Sequence, residues 1–256
     1  MIFERDWRKN MDIILYNIII GLSTFLLGYF FGSIPTGVVL CKLIYHKDPR
    51  LEGSKNSGGT NVGRLFGKKM GILVIALDMI KTVIPLITVW LIFRFSALQA
   101  TFEANLGVKM FDNGVLYIYL APLGASIGHC YPVFARFKGG KAVATFGGFG
   151  LATSWFCSLI GFGAFFITLK AKKYVSLASI MAGVLTIISS WSLFVIQFFI
   201  PESFWHFFMW GWGSYLLAGW EYATVATLIS ILLIVRHAPN IKRLIHHEER
   251  KITWMD

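Results

Sequence analysis

Residues 142–169 read AVATFGGFGLATSWFCSLIGFGAFFITL, a charge-free run of 28 residues set between Lys141 and Lys170. One helix crossing a bilayer core about 30 Å thick takes ~20 apolar residues, so the run is long for one span and too short for two full ones. The polar pair Thr153 and Ser154, with Gly161 and Gly163 beyond, interrupts its middle. Charge decides between one crossing and two. Arg136 to Lys141 and Lys170 to Lys173 each carry three Lys or Arg, and the positive-inside rule puts both flanks on the cytoplasmic face. The run must therefore cross an even number of times. A hairpin of two short helices is predicted, packed inside the bundle because backbone bent at that depth has to be covered by protein.

Outward from this hairpin, apolar runs of spanning length recur at Ile13 to Phe31, Gly71 to Phe93, Val115 to Ala135, Ser176 to Phe199 and Gly213 to Val235. The other basic stretches, Lys42 to Lys69 with seven Lys or Arg and Arg236 to Lys251 with five, join the first two on one side. The connections Ser96 to Gly114 and Ile200 to Trp212 hold a single basic residue between them and belong outside. The prediction is an all-α integral membrane protein of about seven transmembrane helices, N-terminus outside and C-terminus cytoplasmic. With 56% hydrophobic and 14% charged residues and a mean hydropathy of +0.64, the chain lies beyond the apolar content of a water-soluble domain. Residues 1–256 are read as a single polytopic membrane domain. The first ten residues carry Glu4, Arg5, Asp6, Arg8 and Lys9, and no small-residue cleavage site follows; the first span is read as retained. The net charge of +11 lies in short loops between apolar runs, which fits anionic headgroups and phosphorylated substrates and argues against nucleic acid. Cys41, Cys130 and Cys157 are isolated, without CxxC or Cys/His spacing, so neither a disulfide framework nor a metal site is indicated.

The loop after the first span reads Gly53-Ser54-Lys55-Asn56-Ser57-Gly58-Gly59-Thr60-Asn61-Val62-Gly63-Arg64. Such a loop brings backbone N–H groups close to an anion while hydroxyls and amides add hydrogen bonds, so it reads either as a phosphate cradle or as a solvated Gly-rich loop. Phe137-Lys138-Gly139-Gly140-Lys141 precedes the hairpin. A helix opening at Ala142 would aim its N-terminus, with Lys141, at a negatively charged ligand; otherwise Lys141 is an ordinary loop cation. Asp78 and Lys81 share a helix face inside the second span and are expected to form a buried structural ion pair rather than a catalytic base. Gly32-Ser33-Ile34-Pro35-Thr36-Gly37 breaks the first span, as a kink or as part of a substrate slot. His237, in Arg236-His237-Ala238-Pro239-Asn240, reads alone as an interfacial anchor.

Together these stretches resemble the acyl-phosphate:glycerol-3-phosphate acyltransferases of the PlsY type. The resemblance runs from Gly32 to Lys251 through GSIPTG, GSKNSGGTNVGR, the Asp78/Lys81 helix, Gly128-His129-Cys130-Tyr131-Pro132, FKGGKAVAT, Lys173 to Ser179 and RHAPNIKRL, in the family's order. It implies a seven-helix enzyme of the bacterial cytoplasmic (inner) membrane with its active site facing the cytoplasm. The enzyme would move a fatty acyl group from acyl phosphate to the 1-position hydroxyl of glycerol 3-phosphate, giving lysophosphatidic acid and phosphate, the first step of phospholipid synthesis. Its partners would be those two substrates and membrane lipid, with no cofactor. The implied catalytic residues are Ser54, Arg64 and Lys141. Substrate binding is implied for Ser33, Asn56, Thr60, Asn61, Gly139, Gly140, His237 and Asn240, the main chain at Gly139 and Gly140 gripping the acyl phosphate. Three positions depart from the pattern: Lys55 and Ala142 stand where the family has glycine, and Gly59 where it has alanine.

The family's mechanism lets the donor's own phosphate take the hydroxyl proton. The sequence agrees in one respect. Acyltransferases using acyl-CoA or acyl carrier protein commonly place Asp five residues after a His, whereas here those positions hold Leu51, Phe134, Gly211, Lys242, Lys251 and Ile252. A transporter for phosphorylated molecules is the competing class, but its mark would be two corresponding halves, and neither GGTN nor GGK repeats. A non-enzymic membrane scaffold leaves the basic and glycine-rich loops unexplained.

Overall fold

The computed structural model describes residues 2–95, 114–201, 207–210 and 219–252. Among these the chain is built of helices: α1 (Ile2–Gly32), α2 (Thr36–Tyr45), α3 (Gly59–Phe66), α4 (Lys68–Phe95), α5 (Gly114–Cys130), α6 (Val143–Thr153), α7 (Trp155–Lys172), α8 (Val175–Ile196), α9 (Trp220–Arg236) and α10 (Ala238–Ile245), with short 3-10 turns at Val133–Ala135 and Gln197–Phe199. Most of the two cation-poor connections and the start of the predicted last span lie outside the described residues.

Among the described residues, four stretches are long and apolar enough to cross a membrane: Ile14–Tyr45, Lys68–Phe93, Trp155–Lys172 and Val175–Phe199. The pair α9 and α10, bent by 55°, makes a fifth. Length and composition thus fall short of the seven predicted, because α5 has 17 residues and α6 only 11.

The run of residues 142–169 divides at Ser154. Its side chain accepts from Cys157 N (3.2 Å), capping α7, and donates to Phe208 O (2.8 Å). Trp210 N donates to Thr153 O (3.1 Å), so residues 207–210 cover the bend and satisfy the backbone freed there. The expectation that both hairpin helices pack inside holds only for α6. That helix lies so close to α4 that a Cβ at Gly148 would fall 2.5 Å from Met79 O. By contrast α7 turns apolar side chains outward, with Leu159 66% and Ile167 72% exposed, as a lipid-facing helix should.

Close backbone approach also joins α1 to α5: a Cβ at Gly28 would lie 1.8 Å from Ala121 O. This is the small-residue packing of membrane helices, where contact rather than water exclusion drives association. At the centre Tyr119, Phe149 and Tyr222 bring α5, α6 and α9 together, with ring centroids 5.4–6.2 Å apart. All four basic stretches meet at one end of the bundle. Arg50 donates to Ala135 O (3.1 Å), Lys141 to Asn240 Oδ1 (2.7 Å), and Ile252 N to Lys173 O (2.8 Å). The two flanks of the 142–169 run therefore sit on the same end, as an even number of crossings requires.

Candidate active site

A cavity of about 780 Å³ opens at this basic end. Its mouth is shaped by the loop of residues 53–58, which folds around Asn61. The Asn61 Oδ1 accepts from Ser54 N (2.8 Å), and its Nδ2 donates to the carbonyls of Pro49 (2.8 Å), Asn56 (2.9 Å) and Glu52 (3.2 Å). Asn56 Oδ1 in turn accepts from Gly58 N (2.8 Å), a local turn that aims the chain into α3. With both ends of its amide engaged, Asn61 shapes the loop while also lining the cavity mouth. Ser54, Asn56, Thr60 and Arg64 line the mouth beside it.

Lys55 lies in this loop at φ +54°, and Ala142 caps α6 at φ +60°. Both residues that replace family glycines thus occupy the left-handed region, where a Cβ costs about 1–2 kcal/mol. The side chain of Lys55 is exposed. Lys55→Gly is expected to keep most of the turnover and to leave stability near wild type, strain relief offsetting the added freedom of the unfolded chain. Assay and thermal unfolding in detergent check this, and a loss as large as that of a phosphate-binding residue would refute it.

Helix α6 begins at Val143 with no side-chain cap on its first N–H groups, and Val143 and Ala144 line the cavity. Helix α3 likewise starts at Gly59 uncapped, with Gly58 and Gly59 lining the mouth. Two helix N-termini carrying unsatisfied donors and partial positive charge therefore converge there. Gly139 and Gly140 do not line this cavity. They are wedged against His129: Gly140 N donates to His129 O (2.9 Å), and a Cβ on Gly140 would lie 2.0 Å from His129 Nε2. Arg236 Nε donates to Gly140 O (3.1 Å) from the other side. This close packing delivers Lys141 and α6 to the cavity. Ser33, just past α1, is wholly buried against Gly128 of α5 and does not line this cavity.

Lys141, His237 and Asn240 come from distant segments to one wall. The Lys141 ammonium donates to Asn240 Oδ1, and Asn240 Nδ2 donates to Glu249 Oε1 (2.7 Å). That carboxylate also accepts from Ser176 Oγ (2.9 Å) and Arg243 Nε (2.7 Å). Burial works against the charge of Glu249, but hydrogen bonds from Asn240, Arg243 and Ser176 hold its carboxyl below the usual range. Burial pushes the Lys141 ammonium down to about 8; Glu249 opposes this, while Arg243, Arg236 and Arg64 add to it. Arg64 is lowered from its ordinary value by burial, with Glu249 opposing and Arg250 and Arg243 adding. Arg64, Lys141, Arg243 and Arg250 thus line the mouth together with the Glu249 carboxylate, which bonds Arg243 directly and Lys141 through Asn240. His237 Nδ1 faces Leu233 O at 2.8 Å. A carbonyl only accepts, so that nitrogen carries the proton and Nε2 is left for the cavity.

Asp78 and Lys81 pair at 2.8 Å beneath the mouth, both buried. Thr36 Oγ1 bonds Asp78, and Lys81 Nζ donates to Ile34 O (3.0 Å), so the pair ties the break between α1 and α2 to α4. Sequence reasoning passed over Glu249, whose signal is an acidic pair, Glu248 and Glu249, inside the most basic tail. It also gave no role to His129, a histidine beside a glycine at the end of an apolar run.

Below the mouth the cavity turns apolar, between Ile75 and Met79 of α4, Phe146 of α6, Phe162 and Phe165 of α7 and Ala182 of α8. A cationic mouth continuous with an apolar body has the chemistry to take an anionic group together with a hydrocarbon chain. The chain belongs to the glycerol-3-phosphate acyltransferase family of the PlsY type: the family profile described as Glycerol-3-phosphate acyltransferase matches residues 22–247. The glycerol-3-phosphate acyltransferases of Staphylococcus aureus strains JH9 and Newman are each 38% identical over 231 residues, covering 90% of this chain and 96% of theirs. Crystal structures of PlsY (YgiH), an integral membrane glycerol 3-phosphate acyltransferase, align over 92% of this chain and 96% of that one. The glycerol 3-phosphate form gives a TM-score of 0.68 at 32% identity, and the lysophosphatidic acid form 0.67 at 31%.

Proposed function

We propose that this acyltransferase takes its acyl group from an acyl phosphate and delivers it to the 1-position hydroxyl of glycerol 3-phosphate, forming lysophosphatidic acid and phosphate. The observation that carries the reading is the cavity itself, with cations and two uncapped helix N-termini at the mouth and an apolar passage below. Arg64, Lys141, Ser54, His237 and Asn240 hold glycerol 3-phosphate by its phosphate and hydroxyls. The donor's chain lies in the apolar passage with its carbonyl at the mouth. The hydroxyl oxygen attacks that carbonyl, the new ester bond forms, and the bond from the acyl carbon to the phosphate oxygen breaks. The proton leaves with the departing phosphate, so no basic dyad is required, consistent with the missing HxxxxD. The protein's share is orientation and stabilisation of developing negative charge. Purified protein should form lysophosphatidic acid from acyl phosphate and glycerol 3-phosphate and none from acyl-CoA; turnover with acyl-CoA alone would reject the donor assignment.

The same reading places the enzyme in the inner membrane with seven crossings, α1 with α2, then α4 to α9, with α5 and α6 shorter than a full span. The N-terminus is outside and the active site cytoplasmic. Single cysteines near Asn61, Lys172 and Asn240 should label only from the cytoplasmic side; outside labelling near Lys172 would undo the hairpin topology.

A further inference from the structure

Two cations of the mouth, Arg64 and Lys141, come from segments far apart in sequence, the first on α3 and the second just before α6. A phosphate held by both requires the two segments to keep a fixed separation. Arg50 spans them from outside the cavity, which it does not line. Its Nη1 donates to Ala135 O (3.1 Å) and to Lys138 O (3.4 Å), three residues before Lys141. Among the described residues, no other hydrogen bond joins residues 48–64 to residues 132–141.

The rest of the guanidinium is anchored on its own side. Asp48 accepts from Arg50 Nε (3.0 Å), Nη2 (2.8 Å) and backbone N (3.0 Å), while Asn61 holds the neighbouring carbonyls of Pro49 and Glu52. Five donors in one rigid plane let an arginine grip a carboxylate and still reach a second partner, which a lysine does poorly. The far segment needs such a hold. Arg136 and Phe137 stand at φ +55° and +58°, and Ala142 at φ +60°, three non-glycine residues in the left-handed region. Backbone of that kind persists only where its surroundings over-determine it. Here Phe137 N donates to Pro132 O (2.8 Å) and Lys138 N to Ala135 O (3.2 Å), the carbonyl that Arg50 also binds.

Resting on the reading of Lys141 as a phosphate ligand, we propose that Arg50 is a positioning residue for the acyl transfer. Fixed by Asp48, it holds residues 135–138 so that Lys141 meets the phosphate at the distance set by Arg64. Without it the strained segment relaxes and carries Lys141 away from that place.

The test compares wild type with Arg50→Met, Arg50→Lys and Asp48→Asn. Binding of glycerol 3-phosphate is followed by calorimetry across the alkaline range, which needs no acyl donor, beside thermal unfolding in detergent. Arg50→Met should weaken binding roughly tenfold to a hundredfold, the scale of a misplacement of about 1 Å. Arg50→Lys should recover part of the loss, and Asp48→Asn, which loosens the guanidinium without removing it, should cost less than Arg50→Met. The pH dependence separates positioning from a general loss of structure. Lys141 is faced by Asn240, Arg243 and Glu249 from α10 and the tail, by Arg236 and His237 at the end of α9, and by Arg64 of α3. Burial pushes its ammonium down to about 8. A segment released by Arg50 exposes that ammonium to water, so the alkaline fall in affinity should move to higher pH. Lys47→Met removes an exposed cation from the same loop and should change neither affinity nor profile. If Arg50→Met does not fold, Arg50→Lys and Asp48→Asn carry the same two readouts. Unchanged affinity in the folded variants, or weaker affinity with the fall at unchanged pH, overturns the proposal while Lys141 stands. A wild type whose affinity shows no alkaline fall withdraws Lys141 as a ligand, and this role for Arg50 with it.

Discussion

Lys141→Ala is expected to take turnover to or below detection. Lys141 is half-buried, donates to Asn240, and stands between the uncapped N-terminus of α6 and the Arg64/Arg243 cluster. Removing one preorganised donor from a water-poor site costs about 10² to 10³ in rate. Here the loss also frees the Asn240 amide, whose other end holds Glu249. With its ammonium pushed down to about 8, Lys141 is still mostly protonated at pH 7, and the protonated form is the one that binds phosphate. Wild-type kcat/KM for glycerol 3-phosphate should therefore decline as pH rises through about 8. The limb in kcat should fall at higher pH, because a bound dianion stabilises the charged amine. Rates measured from pH 6 to 10 check the sign. A Lys141→Ala enzyme with substantial activity, or a wild-type profile flat across that range, would remove Lys141 from the phosphate site.

The membrane character of the fold was legible from residues 142–169 and their flanks, because positive charges on both sides constrain parity whatever the helix lengths. The division at Ser154 follows from a capping residue in an apolar run. The lateral arrangement was not legible. Hydrophobicity does not distinguish a lipid-facing residue such as Ile167 from a buried one such as Phe149, since lipid and protein interior are both apolar. Hence α7 was expected inside and lies at the periphery. The count of seven rests on charge parity and not on length, since α6, at 11 residues, is shorter than one bilayer crossing.

At the site, charged residues were easier to read than small ones. Arg64, Lys141 and His237 line the cavity because few alternatives reward a cation or imidazole at that depth. Glycine, serine and asparagine have structural uses with the same sequence signature. Gly140 is required by His129 beneath it, Ser33 by the tight contact with Gly128, and Asn61 by three loop carbonyls. The left-handed φ at Lys55 and Ala142 gives a backbone reason for glycine at those two places.

Arg64→Lys is expected to weaken use of glycerol 3-phosphate by roughly tenfold to a hundredfold or more, the 1.5–3 kcal/mol of a charge-assisted hydrogen bond. Arg64 ends the Gly and Asn loop on α3, lines the mouth, and faces Glu249, Arg243 and Arg250. A guanidinium presents a planar fork that grips two phosphate oxygens at once, while lysine offers a point charge, so the substitution keeps the charge and removes the geometry. The fold should be unaffected, because the side chain reaches the mouth from a short helix outside the apolar bundle and its neighbours Asn61 and Val62 supply the buried contacts. Acylation rates against glycerol 3-phosphate at saturating acyl phosphate, alongside thermal unfolding in detergent, separate the two effects. A higher KM with near-normal kcat means that Arg64 binds phosphate equally in ground and transition states, and a fall in kcat means that its grip tightens as charge develops. Unchanged kinetics in a well-folded Arg64→Lys enzyme would leave this arginine a solvated cation on α3 and move the phosphate toward Arg243 and Arg250.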